Sequence, residues 1–86
     1  MTISVLLADD HAVVRDGLKT LLEMQPDIRV VGVAADGREA VAGAAQLKPD
    51  VVVLDISMPD MNGVEAARRI LAARAETRIV MLSMHS

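Results

Sequence analysis

Aromatic side chains are absent from this chain of 86 residues, and so is cysteine. Without Phe, Tyr or Trp no base can stack on the protein and no aromatic cage can hold a cationic ligand. Without cysteine there are no disulfides, thiolate metal sites or cysteine nucleophiles; that suits a reducing compartment, and a cytoplasmic location is expected. Positive charge is also in deficit, with 9 basic residues against 12 acidic ones and a formal net charge of -3. Such a balance offers no general attraction to nucleic acid or anionic lipid, so neither a direct nucleic-acid contact nor a membrane partner is expected. Long apolar runs are lacking too: Ile3 to Ala8 is too short for the core of a signal peptide and has no basic lead-in. What remains is one domain with a purely aliphatic core, since 52% of the residues are hydrophobic and a chain this short removes only ~60–70% of its unfolded surface from water.

The apolar segments have strand length. Val51, Val52, Val53 and Leu54 form an uninterrupted run, too short for a helix and without polar alternation, which predicts a central strand of a parallel sheet with both faces covered. Ile3 to Ala8 predicts a first strand, Arg29 to Ala34 a second near a sheet edge because of Gly32, and Arg78 to Leu82 a fourth. Helical spacing fills the intervals. Val14, Leu18, Leu21 and Leu22 make one stripe, with Arg15, Asp16, Lys19 and Glu23 on the other faces. Asp36 to Glu39 reads as a capping pattern that opens a helix burying Ala40, Val41, Ala44 and Ala45. A third helix after Gly63 is expected to turn Val64, Ala67, Ile70 and Leu71 inward. Strand alternating with helix through four strands builds a parallel sheet by right-handed crossovers.

Such a sheet gathers the strand ends on one rim, where ligands bind in open α/β folds. Asp9 and Asp10 follow the first strand, Asp55 ends the third, and Ser83 ends the fourth. Asp55 and Ser83 lie about one βαβ unit apart, roughly 30 residues, and so occupy equivalent places on neighbouring strands. Three carboxylates brought together repel one another unless a cation intervenes, and Mg2+ meets that demand with oxygen ligands and open positions for water and a phosphoryl oxygen. Asp55 is then placed to attack phosphorus, with the Ser83 hydroxyl available to a phosphoryl oxygen.

The stretches ADDHAVVRDGL, VVVLDISMPDMNGVEAARRI and IVMLSMHS resemble the receiver domain of two-component response regulators, and the LDISMPDMNG loop is most similar to the NarL/FixJ group. The resemblance implies a flavodoxin-like doubly wound sheet. By position it makes Asp55 the phosphoacceptor and a Mg2+ ligand, Asp10 a direct Mg2+ ligand, Asp9 a partner of the ion through water, the backbone carbonyl of Ser57 a third protein ligand, and Ser83 the switch hydroxyl. It also implies a sensor histidine kinase as partner and a DNA-binding transcription regulator as the parent protein. The family pattern continues through a fourth helix, a fifth strand ending in a lysine, and a fifth helix, whereas this sequence ends at Ser86. The expectation is therefore a single receiver domain over 1–86 with sheet order 2-1-3-4, lacking that last strand, two helices and any output domain. Its fourth strand would be an exposed apolar edge, from which a homodimer is expected through edge pairing or exchanged elements.

Plainer readings stand beside these. His11 and His85 have no paired ligand spacing and read as surface or helix-entry residues. The methionines at 24, 58, 61, 81 and 84 read as core and loop fillers, and Arg68-Arg69 as a solvated helix face. A phosphatase with an aspartate nucleophile usually carries a second acid two residues on, where this chain has Ser57. A flavin carrier of the same fold would meet repulsion from Asp9-Asp10 at the flavin phosphate. The remaining alternative is a non-signalling dimerisation or structural fragment whose acidic site is never loaded.

Overall fold

A computed structural model of the chain describes residues 1–82. Its elements run β1 (Ile3–Ala8), α1 (Ala12–Glu23), β2 (Ile28–Ala34), α2 (Gly37–Leu47), β3 (Val51–Asp55), α3 (Gly63–Ala73) and β4 (Arg78–Leu82). The strands form one parallel sheet in the order β2-β1-β3-β4, the expected doubly wound arrangement. Among the described residues β2 and β4 are its two edges.

Strand alternation divides the interior between the two faces. Leu6, Ala8, Val52 and Leu54 point to one side and pack with Ala40 and Ala44 of α2 and Ala66, Ala67 and Ile70 of α3. Val5 and Leu7 point the other way, where α1 packs across β1 and β2. The expectation that both faces of β3 are covered therefore holds on one side only: Val52 and Leu54 are fully buried, whereas Val51 and Val53 are half-buried. Seated over β1 and β2, α1 does not extend across β3.

Each of the three helices departs from its predicted face at one or two positions. In α3 the buried residues are Gly63, Ala66, Ala67 and Ile70, while Val64 and Leu71 lie on an exposed flank. Small side chains explain the rotation, because the alanines of α3 meet Ala40 and Ala44 of α2 across a close interface where larger aliphatics would hold the helices apart. In α2 this seam follows Ala40 and Ala44, so Ala45, one residue further round, is exposed rather than buried. In α1 Val14, Leu18 and Leu22 are half-buried, but Leu21 is 61% exposed on a flank with no facing element among the described residues.

Local chemistry fixes the helix starts. Asp36 accepts the Glu39 N–H at 2.9 Å, and the Glu39 carboxylate accepts the Ala35 N–H at 3.0 Å, one residue before the cap. Asn62 caps α3 in the same way through the Glu65 N–H at 2.9 Å. Gly32 serves packing: the β1–β2 register shifts between Val5 and Leu6, and a Cβ at residue 32 would lie 2.7 Å from Leu47 Cδ1. No helix among the described residues is long and apolar enough to cross a membrane.

Candidate functional site

Parallel register brings the acidic residues to one rim. Ala8 pairs with Leu54, so Asp9 and Asp55 are the next residues along adjacent strands, and Asp55 itself pairs with Leu82 of β4. The backbone at this point is tightly held. Asp9 N–H donates to Ala34 O at 3.0 Å, Ile56 N–H to Leu82 O at 3.1 Å, and Gly63 N–H to Ile56 O at 2.9 Å. Gly63 is required by this last approach, because a Cβ there would press on the Asp55 carbonyl oxygen and stand 3.0 Å from the Ile56 Cα.

The side chains are held less completely. Asp9 is fully buried; its Oδ1 accepts the His11 backbone N–H at 2.8 Å. Asp55 is 1% exposed, and its Oδ1 accepts the Ser57 N–H at 3.1 Å. Their second oxygens, Asp9 Oδ2 and Asp55 Oδ2, are buried with no hydrogen-bond partner. An anionic oxygen withdrawn from water without a donor costs on the order of 1–3 kcal/mol or more. These two atoms are therefore the natural seat of a cation, and Asp9, Asp10, His11 and Asp55 each offer a ligating atom, all within 4.8 Å of one another. The donor set fits a divalent ion.

Asp9, Asp10 and Asp55 thus converge as expected. Ser57 lies in the loop after β3, tied by its N–H to the carboxylate of Asp55, and Ser83 lies outside the described residues.

Two residues enter the site that sequence reasoning left out. His11 is the helix-entry residue it was expected to be, yet its Nδ1 sits 3.1 Å from Asp9 Oδ1, 3.1 Å from Asp10 Oδ1 and 3.9 Å from Asp55 Oδ2. The hydrogen bond to Asp9, then the charge of Asp10, hold its imidazole above the ordinary value. Spacing rules look for paired ligands one helical turn apart and miss a residue delivered by the turn before the helix. Arg15, expected on the solvent side of α1, is half-buried, and its guanidinium donates to the Asp9 carbonyl at 3.0 Å. That contact anchors the first turn of α1 to the end of β1.

A sequence profile of the response regulator receiver domain matches residues 5–86. The chain is 51% identical over 81 residues to a protein-glutamate methylesterase/protein-glutamine glutaminase of Thermotoga maritima, covering 94% of this chain and 23% of that protein. It is 47% identical over 83 residues to the response regulator protein VraR of Staphylococcus aureus, covering 96% and 40% respectively. Among solved structures, a LuxR-family two-component response regulator from Aurantimonas sp. superposes with a TM-score of 0.94 at 38% identity, over 100% of this chain and 61% of that one. The chain thus spans less than half the length of these two curated relatives.

Proposed function

The chain belongs to the response regulator receiver domain family, and from that premise we propose that it is a phosphoacceptor module, taking a phosphoryl group from a sensor histidine kinase onto Asp55 with Mg2+. The observation that carries this reading is the state of the Asp55 carboxylate. One oxygen is engaged by the Ser57 N–H, and the other, Oδ2, is buried, without a donor, and 3.9 Å from the imidazole that bridges Asp9 and Asp10.

In the reaction, Asp55 Oδ2 forms the new oxygen–phosphorus bond as the nitrogen–phosphorus bond of the donor phosphohistidine breaks, its electron pair remaining on the leaving imidazole nitrogen. The Ser57 N–H on Oδ1 orients the carboxylate so that Oδ2 is the attacking atom. Asp10 and Asp55 would hold the ion directly and Asp9 through water, with the Ser57 carbonyl as third protein ligand. When bound, Mg2+ supplies positive charge to the crowded carboxylates and to the phosphoryl oxygens. Ser83 would donate its hydroxyl to a phosphoryl oxygen. The chain itself acts as an acceptor rather than a turnover enzyme.

Its similarity to VraR and to a LuxR-family regulator supports a transcription regulator as the parent protein. Self-association through the β4 edge is supported by Val80, 47% exposed on that strand. The decisive experiment is incubation with Mg2+ and a small acyl phosphate, then mapping of the modified residue by mass spectrometry. Modification at Asp55, lost in Asp55→Asn, is expected. Its absence, or its appearance on another residue, sinks the acceptor reading and leaves a structural fragment as the better account.

A further inference from the structure

The geometry points to His11 as a nitrogen ligand of the acidic site, one that widens the site's metal range from Mg2+ to borderline ions such as Ni2+ and Co2+. This rests on the acceptor-site reading above and adds to it a residue that sets metal preference. The first support is the spacing. Ligands adjacent on an octahedron with metal–ligand bonds of ~2.1 Å are separated by about 3.0 Å, and ligands opposite one another by about 4.2 Å. His11 Nδ1 is 3.1 Å from one oxygen of Asp9 and from one of Asp10, and 3.9 Å from Asp55 Oδ2. The separations from Asp10 and Asp55 fit within one coordination shell, while Asp9, hydrogen-bonded to the ring, would reach the ion through water.

The second support is independent of His11. Asp55 Oδ2 and Asp9 Oδ2 are unpartnered oxygens on fully or almost fully buried side chains, so hydrogen bonds from His11 do not complete the cluster. A cation would.

Chemistry decides which cation gains from the imidazole. Mg2+ takes oxygen ligands and keeps several waters, so it draws little from a ring nitrogen. Ni2+ and Co2+ bind imidazole well and stand higher in the divalent affinity order. To ligate such an ion, Nδ1 releases its proton to solvent and turns its lone pair to the metal. The ring has room to adjust, since its side chain is 59% exposed while the carboxylate of Asp9 is fixed and buried.

The test compares ion preference within each variant, so that losses in folding cancel. Dissociation constants for Ni2+ and Mg2+ are measured by calorimetric titration of the whole chain, of His11→Ala and of His11→Asn. The Ni2+-to-Mg2+ affinity ratio is expected to fall at least about 10-fold in both variants. In parallel, NMR of the Co2+-loaded chain should show a strongly shifted imidazole proton that persists in His85→Gln and vanishes in His11→Ala. An unchanged ratio, or a shifted signal that survives His11→Ala, overturns the assignment of His11 while leaving the acceptor reading intact. A chain that takes up neither Mg2+ nor Ni2+ overturns both.

Discussion

Replacing Gly63 by alanine should damage this fold, although the same change at the start of a helix usually helps. Where the backbone tolerates it, Gly→Ala stabilises by ~0.4–1 kcal/mol, because the unfolded chain loses freedom. Gly63 is the first residue of α3, and its φ is not positive, so no backbone strain opposes alanine there. Space opposes it instead. The added Cβ would press on the Asp55 carbonyl oxygen and lie 3.0 Å from both Asp55 C and Ile56 Cα, where carbon atoms ordinarily keep about 3.5 Å or more. All three obstacles are main-chain atoms, held by the Gly63-to-Ile56 and Ile56-to-Leu82 hydrogen bonds. Forced overpacking of this kind costs about 1–3 kcal/mol, which in a domain this small lowers Tm by ~4–8 °C for each kcal/mol. Gly17 provides the internal control: it lies within α1, and a Cβ there meets nothing within 4 Å. Gly17→Ala should raise Tm, helped by up to about 1 kcal/mol of helix propensity. Thermal melts of both variants by circular dichroism give the comparison. If Gly63→Ala melted at or above the parent temperature while keeping its helix content, the tight approach of α3 to the end of β3 would be wrong.

Other expectations are more local. Ser4 donates its N–H at 2.9 Å and its hydroxyl at 3.1 Å to Asp50, and these bonds, with a smaller contribution from the charge of Arg74, hold the Asp50 carboxyl below its ordinary value. A carboxyl depressed in the folded state adds stability above its unfolded pKa of ~3.9 and loses it as pH falls through the lower folded value. Ser4→Ala keeps the backbone bond, the larger cause, and removes the hydroxyl one, so it should raise the Asp50 pKa part of the way in a carbon-detected NMR titration and reduce that acid-side contribution; an unmoved titration would contradict the hydroxyl bond. Asn62→Ala removes the α3 cap and should cost about 1 kcal/mol in urea denaturation, so an unchanged midpoint would mean that the cap contributes nothing. Mg2+ at ~100 times its dissociation constant should stabilise the chain by ~2.7 kcal/mol. That gain should shrink sharply in Asp10→Ala at the same ion concentration, and equal shifts in both proteins would place the ion elsewhere.

The sheet was legible because its signals are contiguous. Ile3 to Ala8, Val51 to Leu54 and Arg78 to Leu82 are apolar runs with polar or turn-forming ends, and once four alternate with helices, parallel order brings Asp9 and Asp55 side by side. The helix faces were less legible. The sequence offers α3 both an aliphatic flank, Val64 with Leu71, and an alanine flank; hydrophobicity favours the first, yet close packing on α2 selects the second. Nor did β3 disclose that Val51 and Val53 would be only half-covered, since strand composition does not say how far a helix extends across a sheet. The contacts that His11 and Arg15 make were illegible for a related reason. Their contacts depend on the turn between β1 and α1, and no spacing in the sequence encodes the path of that turn.

At its rim β3 combines a hydrogen-bonded backbone with an unfinished carboxylate cluster. Leu54 and Val52 bury the strand, Leu82 receives the Ile56 N–H, and Gly63 lets α3 begin against Asp55 itself. Against this frame Asp9 Oδ2 and Asp55 Oδ2 lie buried without donors, a local destabilisation that a cation would relieve. The relief need not remain local. Asp55 is in register with Leu82, whose carbonyl accepts the Ile56 N–H at 3.1 Å, so a change in charge at the carboxylate reaches the end of β4 through that main-chain bond. Among the described residues β4 is an edge strand, so a change transmitted there reaches backbone groups that lie at the side of the sheet.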